Sequence, residues 1–130
     1  MTTFIGRGPG TSPTTDFFPL SGSTASSPGI LITGTTSAAQ TPVHTADANA
    51  FDSPYVIVSN VSAATVTVYG QIGSTATTGQ RQFLITPGAF TVAYSYDFPI
   101  SKSGVLGFWS TATAGVYVTG QVARFYTASS

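Results

Sequence analysis

From Gly29 to Tyr126 the chain is a succession of short runs rich in β-branched and aromatic residues, each closed by Gly, Pro, Ser, Asn or Asp. The runs are GILIT (29–33), TPVHTA (41–46), SPYVIVSN (53–60), ATVTVYGQI (64–72), RQFLITPG (81–88), AFTVAYSY (89–96), GVLGFWS (104–110) and AGVYVTGQVARFY (114–126). None is long enough between breakers to make a helix, and the spacing is that of a sandwich or barrel. Alternation sets the faces: Val66 and Val68 share one side, with Thr67 and Tyr69 on the other. In the last run Val116, Val118 and Val122 oppose Tyr117, Thr119 and Gln121. SNVSAAT (59–65) reads as a hairpin link, TPGAF (86–90) as a turn built on Pro87 and Gly88, and 73–80 as an exposed loop. The expected fold is all-β: an antiparallel β-sandwich, jelly-roll-like, over residues 29–130, with a barrel as the alternative.

The first 28 residues differ in texture. Gly, Pro, Ser and Thr dominate and no strand period is visible, so they read as an extended N-terminal arm. Ordering such an arm costs about 30–55 kcal/mol in backbone entropy. Its own large apolar residues are too few to repay that among themselves, so order requires docking on the chain's own domain or on a neighbouring subunit. Phe4 and Ile5, and then Phe17, Phe18 and Leu20, form two candidate partner-binding anchors, with Arg7 supplying a hydrogen-bond fork between them.

Charge is scarce: 6% of residues, four basic against four acidic, net zero. That balance makes no footprint for nucleic acid or a membrane surface. A surface of Thr, Ser, Ala and Gly resists association poorly and suits a protein that works while assembled. There is no cysteine, hence no disulfide framework. The first residues lack the basic and apolar regions of a secretory signal, and no apolar run is long enough to cross a bilayer as a helix. Asn60-Val61-Ser62 fits the glycosylation sequon and is read as a chance match.

Groups able to titrate, attack or bind metal are few. His44 is the one histidine, and Asp47 and Asp52 follow it closely. Their spacing lacks the second His or Cys of a zinc site, and the expected roles are a polar strand residue and two turn residues. Asp16 and Asp97 complete the carboxylates, with Asp97 read as a turn residue before Pro99. No nucleophile elbow or phosphate loop is present, so no catalytic residue, cofactor or metal is assigned and no enzymatic activity is expected. Trp109, beside Phe108 in a poorly alternating run, is expected in the core. The spread of Tyr and Trp leaves a carbohydrate-binding surface module as an alternative.

The segments VHTADANAFDSPYVIVSNVSAATVTVYG (43–70), RQFLITPGAF (81–90) and GVLGFWSTATAGVYVTGQVARF (104–125) resemble a pattern of small structural proteins of tailed bacteriophages. The resemblance includes the VHT strand start, the N-x-S turn before a Thr/Val strand, and a closing V-x-V-x-G-x-V strand. It implies a capsid cement, or decoration, protein: a β-sandwich, expected as a homotrimer, on the outer capsid surface of the virion. Its terminal arm would clamp the major capsid protein. The long arm and the polar loop at 73–80 depart from that pattern and leave a tail or tail-fibre component open.

Overall fold

The computed structural model describes residues 15–24, 26–27, 29–73, 80–112 and 114–126. Nine strands run in chain order: β1 (Thr15–Pro19), β2 (Ile30–Leu31), β3 (Thr41–Thr45), β4 (Ala50–Asn60), β5 (Val66–Ile72), β6 (Arg81–Ile85), β7 (Phe90–Ser95), β8 (Val105–Ser110) and β9 (Val116–Tyr126). A short 3-10 turn, Ser37–Ala39, precedes β3 and is capped by the Thr36 hydroxyl. The strands form two antiparallel sheets. The first has the order β1-β9-β4-β7, with β2 alongside β9 beyond the end of β1; the second has the order β3-β8-β5-β6.

The pairing is nested: β1 and β2 with β9, β3 with β8, β4 with β7, β5 with β6. The chain is thus one long antiparallel hairpin wound into two layers, which is the jelly-roll topology. Each of the eight anticipated runs holds a strand, and the alternation holds within them: Val66, Val68, Val116, Val118 and Val122 all face the core. Val56, Val58, Leu106, Phe108, Ile32, Val43, Ile85, Tyr94 and Ile100 fill the space between the sheets.

Two connections differ from the local reading. Residues 61–65 do not close a hairpin, because β4 lies in one sheet and β5 in the other. Asn60 fixes this crossing: its side-chain amide donates to the Ala64 and Ile85 carbonyls, and its Oδ1 accepts from Ser62. Asn60 is fully buried with both amide hydrogens engaged, so the sequon is spent on structure. The β6–β7 link also crosses between layers, and Gly88 there takes the left-handed φ of +78° that the turn requires.

Pro54 sits in the middle of β4 without breaking it. Its carbonyl accepts from Tyr96 N at 2.8 Å, so its ring nitrogen faces the flank where β7 has already ended and no ladder donor is missing. Gly70 is required by close packing. A Cβ there would lie 2.8 Å from the Phe108 ring and 3.1 Å from Tyr94, which meet edge-on at 6.1 Å between centroids. Gly70→Val is therefore expected to destabilise the fold by about 1–3 kcal/mol through overpacking, read as a lowered urea midpoint.

The expected arm boundary at residue 28 does not separate structure from tail. Thr15–Pro19 form the outer strand of the first sheet, paired through all five residues with Phe125–Gln121 of β9. Leu20, 1% exposed, enters the core, and Phe18 packs against it. Adjacent strand residues point to opposite faces. The Phe17–Phe18 pair is therefore split, with Phe18 turned inward and Phe17 outward.

Candidate functional site

The charged residues close the two open flanks of the sandwich. On the β1/β3 flank, Asp52 of β4 is buried and holds both neighbours. Arg124 of β9 donates Nε to Oδ1 at 2.8 Å and Nη2 to Oδ2 at 3.1 Å, a two-pronged contact. His44 of β3 meets Oδ2 through Nε2 at 2.7 Å, joining the second sheet to the first. The Ser21 backbone N–H donates to His44 Nδ1 at 3.0 Å, which requires an unprotonated Nδ1 and places the ring proton on Nε2. Phe18 covers the cluster, its ring centroid 4.1 Å from the Arg124 guanidinium carbon, and Asp47 Oδ1 lies 3.7 Å from Arg124 Nη1.

Burial pushes the Asp52 carboxyl up, but the hydrogen bonds of Arg124 and His44 and the charge of Arg124 outweigh it and hold the group below the usual carboxylate range. The Asp52 bond in turn raises Arg124 further above its already high value. This corrects the reading of Asp52 as a turn residue; Asp47 is one, accepting from Asn49 N at 2.8 Å. His44 and Asp52 do meet, but as a structural clamp. Both ring nitrogens of His44 and both oxygens of Asp52 are engaged, so the trio presents no ligand set, and no group of three metal-binding side chains occurs among the described residues.

The opposite flank has a second clamp. Arg81 of β6 donates to the Ala93 carbonyl at 2.9 Å and to both Asp97 oxygens, at 3.3 and 2.9 Å, across to β7. Its guanidinium lies over the Tyr94 ring, 4.6 Å from the centroid. The Arg81 hydrogen bond, helped by Ser95 N, holds the exposed Asp97 carboxyl below its ordinary value. Burial pushes the Tyr94 hydroxyl up to about 12. Asp97 is thus both turn and ion-pair residue.

With charge drawn to the flanks, the outer face of the first sheet is left without it. Among the described residues, no outward position of β1, β2, β9, β4 or β7 holds an Asp, Lys or Arg. Eight of the eleven exposed large apolar residues among those described lie there: Phe17, Leu31, Phe51, Phe90, Val92, Tyr96, Tyr117 and Phe125. Phe17 is 61% exposed and Phe90 67%. Tyr96, just past β7, reaches back over this face. It meets Tyr55 at 5.3 Å and Phe17 edge-on at 6.3 Å between centroids, and its hydroxyl accepts from Gln121 Nε2 at 2.6 Å. Ser53 and Ala123, paired in the strands between, are each only 4% exposed. To make this reach Tyr96 adopts a left-handed φ of +64°, an uncommon and strained conformation for an aromatic residue.

On the outside of the second sheet, Trp109 stacks on Tyr69 at 3.8 Å and 11°. Trp109 is half-buried on that outer surface, whereas Phe108 fills the core, so the run alternates after all.

No known family, curated protein or solved structure matches the chain. Of the expected partner-binding residues, Phe4, Ile5 and Arg7 lie outside the described residues. Leu20 and Phe18 are taken up by the chain's own sandwich, and Phe17 alone of the described anchors projects outward. Sequence reasoning missed Arg124, and it counted Tyr96 only among the scattered aromatics of the carbohydrate-binding alternative. The parity of β9 was available as a signal for Arg124, since it shares the inward face of Val118 and Val122.

Proposed function

We propose that the chain is a non-catalytic structural protein of a virion, a cement protein that binds the outside of a phage head and bridges its major capsid proteins. The observation that carries this reading is the partition of charge. The clamps take up the buried and flanking ion pairs, while the broad face of the first sheet is left apolar, aromatic and uncharged. A face of that kind serves an adhesive protein working inside an assembly. The jelly roll is an architecture that viral capsid and lectin domains share, and at the level of fold that analogy agrees with the reading. A cement protein stabilises its shell by mass action on the assembled state.

The test is particle stability. Heads produced without the chain should survive heating better once purified protein is added. Truncation before Thr15 should weaken that protection while leaving every described contact in place. Unchanged heat release of packaged DNA with saturating protein would count against the reading. Truncation through Leu20 would not serve as a test, because it removes β1 and a core residue together.

One observation favours a second reading, a carbohydrate-binding module: the Tyr69–Trp109 stack on the outer surface of the second sheet. Specific glycan binding lost in Trp109→Ala would support it.

A further inference from the structure

We infer that the outer face of the first sheet packs against the same face of a second copy of this chain, forming a two-fold dimer. The eight exposed residues of that face together present on the order of 700 Å² of apolar surface, taking about 200 Å² for a fully exposed aromatic side chain. Summed over the face, that is on the scale of the largest apolar patch of a typical monomer, about 300–600 Å². It approaches the roughly 800 Å² that each partner contributes to a standard stable interface.

Two features make the occupant another copy of the chain. Residues near a two-fold axis meet their own mates, so charge close to the axis would meet like charge; this face carries none. A central polar pair of the face is also joined within the chain. Gln121 donates to the Tyr96 hydroxyl, so covering the pair leaves that amide hydrogen bonded. Two such sheets stack at about 10 Å with their strands roughly aligned, as the two layers of a sandwich do. The contact would rest on Phe125 and Phe51, which pair side by side in β9 and β4.

The inference does not depend on the virion reading. Sedimentation equilibrium at tens of micromolar protein should give twice the monomer mass. Phe125→Asp, near the end of β9 beside Phe51, should weaken dimerisation by about 30-fold or more. Phe90→Asp, at a 67% exposed position on the edge strand β7, is the second variant should Phe125→Asp fail to fold. Leu84→Asp, 74% exposed on the other sheet, should leave the mass unchanged. A monomeric wild-type chain would overturn the inference, as would a dimer indifferent to Phe125→Asp and Phe90→Asp. An odd-numbered assembly such as a trimer, which face-to-face pairing alone does not build, would overturn it too. A monomer that still binds particles through this face contradicts the pairing and leaves the virion reading standing. A face-dependent dimer that ignores particles does the reverse.

Discussion

Replacing Asp52 by asparagine should lower the stability of the domain by about 3 kcal/mol, because it leaves the partly buried Arg124 guanidinium with only the more distant, half-exposed Asp47 carboxylate as counter-charge. The amide keeps one acceptor oxygen where the carboxylate had two, so His44 and Arg124 can no longer both be met and the tie between the two sheets on that flank weakens. Urea unfolding should show a lowered midpoint with little change in slope. Replacing Asp52, His44 and Arg124 together by apolar residues of similar volume should recover much of the loss, since desolvation offsets most of what a buried ion pair gains. The pH dependence follows from the same group. The folded Asp52 carboxyl is held below its unfolded value, so between the two the unfolded chain binds the extra proton. The stabilisation is therefore complete above the unfolded value of about 4 and is lost as pH falls through the folded one. Asp97 adds a smaller contribution of the same sign, screened by its exposure. In Asp52→Asn the acid limb of the stability curve should flatten; an unchanged limb would remove Asp52 from the account.

Leu20→Ala should cost about 2–5 kcal/mol, the range for opening a cavity at a fully buried leucine. The prediction is pointed because Leu20 lies in a stretch whose composition reads as tail. A loss below about 0.5 kcal/mol, the level of an ordinary surface substitution, would mean that residues 15–20 do not belong to the domain. Phe17→Ser, three residues earlier on the outward side of β1, should by contrast leave thermal stability nearly unchanged.

The strands were legible because period-two alternation and turn punctuation are local properties. Val66 and Val68, or Val116 and Val118, carry their burial in their own spacing. What was not legible is long-range. Asp52 and Arg124 lie 72 residues apart, and only the pairing of β4 with β9 brings them opposite each other. Likewise, SNVSAAT has the composition of a hairpin link, and nothing local distinguishes a link within one sheet from one that crosses to the other. β1 escaped notice because five residues between Pro-, Ser- and Thr-rich flanks are too few to show a period, and Pro19 suggested a break. An edge strand needs donors on one side only, so a proline at its end is tolerated. Trp109 was misplaced because Gly107 interrupts the alternation that Leu106 and Phe108 otherwise keep.

The outer face of the first sheet was the part of the candidate site least visible in advance. Its aromatics come from four separate strands and from Tyr96, whose return across the face depends on a left-handed backbone angle that the sequence SYDFP does not announce. Once the strands are in register, the absence of charge from that face is simple to see. It follows from where the few charges went.

The most direct test of the proposed role is a cryo-EM difference map between particles that carry the chain and particles made without it. The account predicts density on the outer surface of the head, spanning boundaries between major capsid proteins and sized for the jelly roll. Density confined to the tail or its fibres, or no density at all with saturating protein, would contradict it.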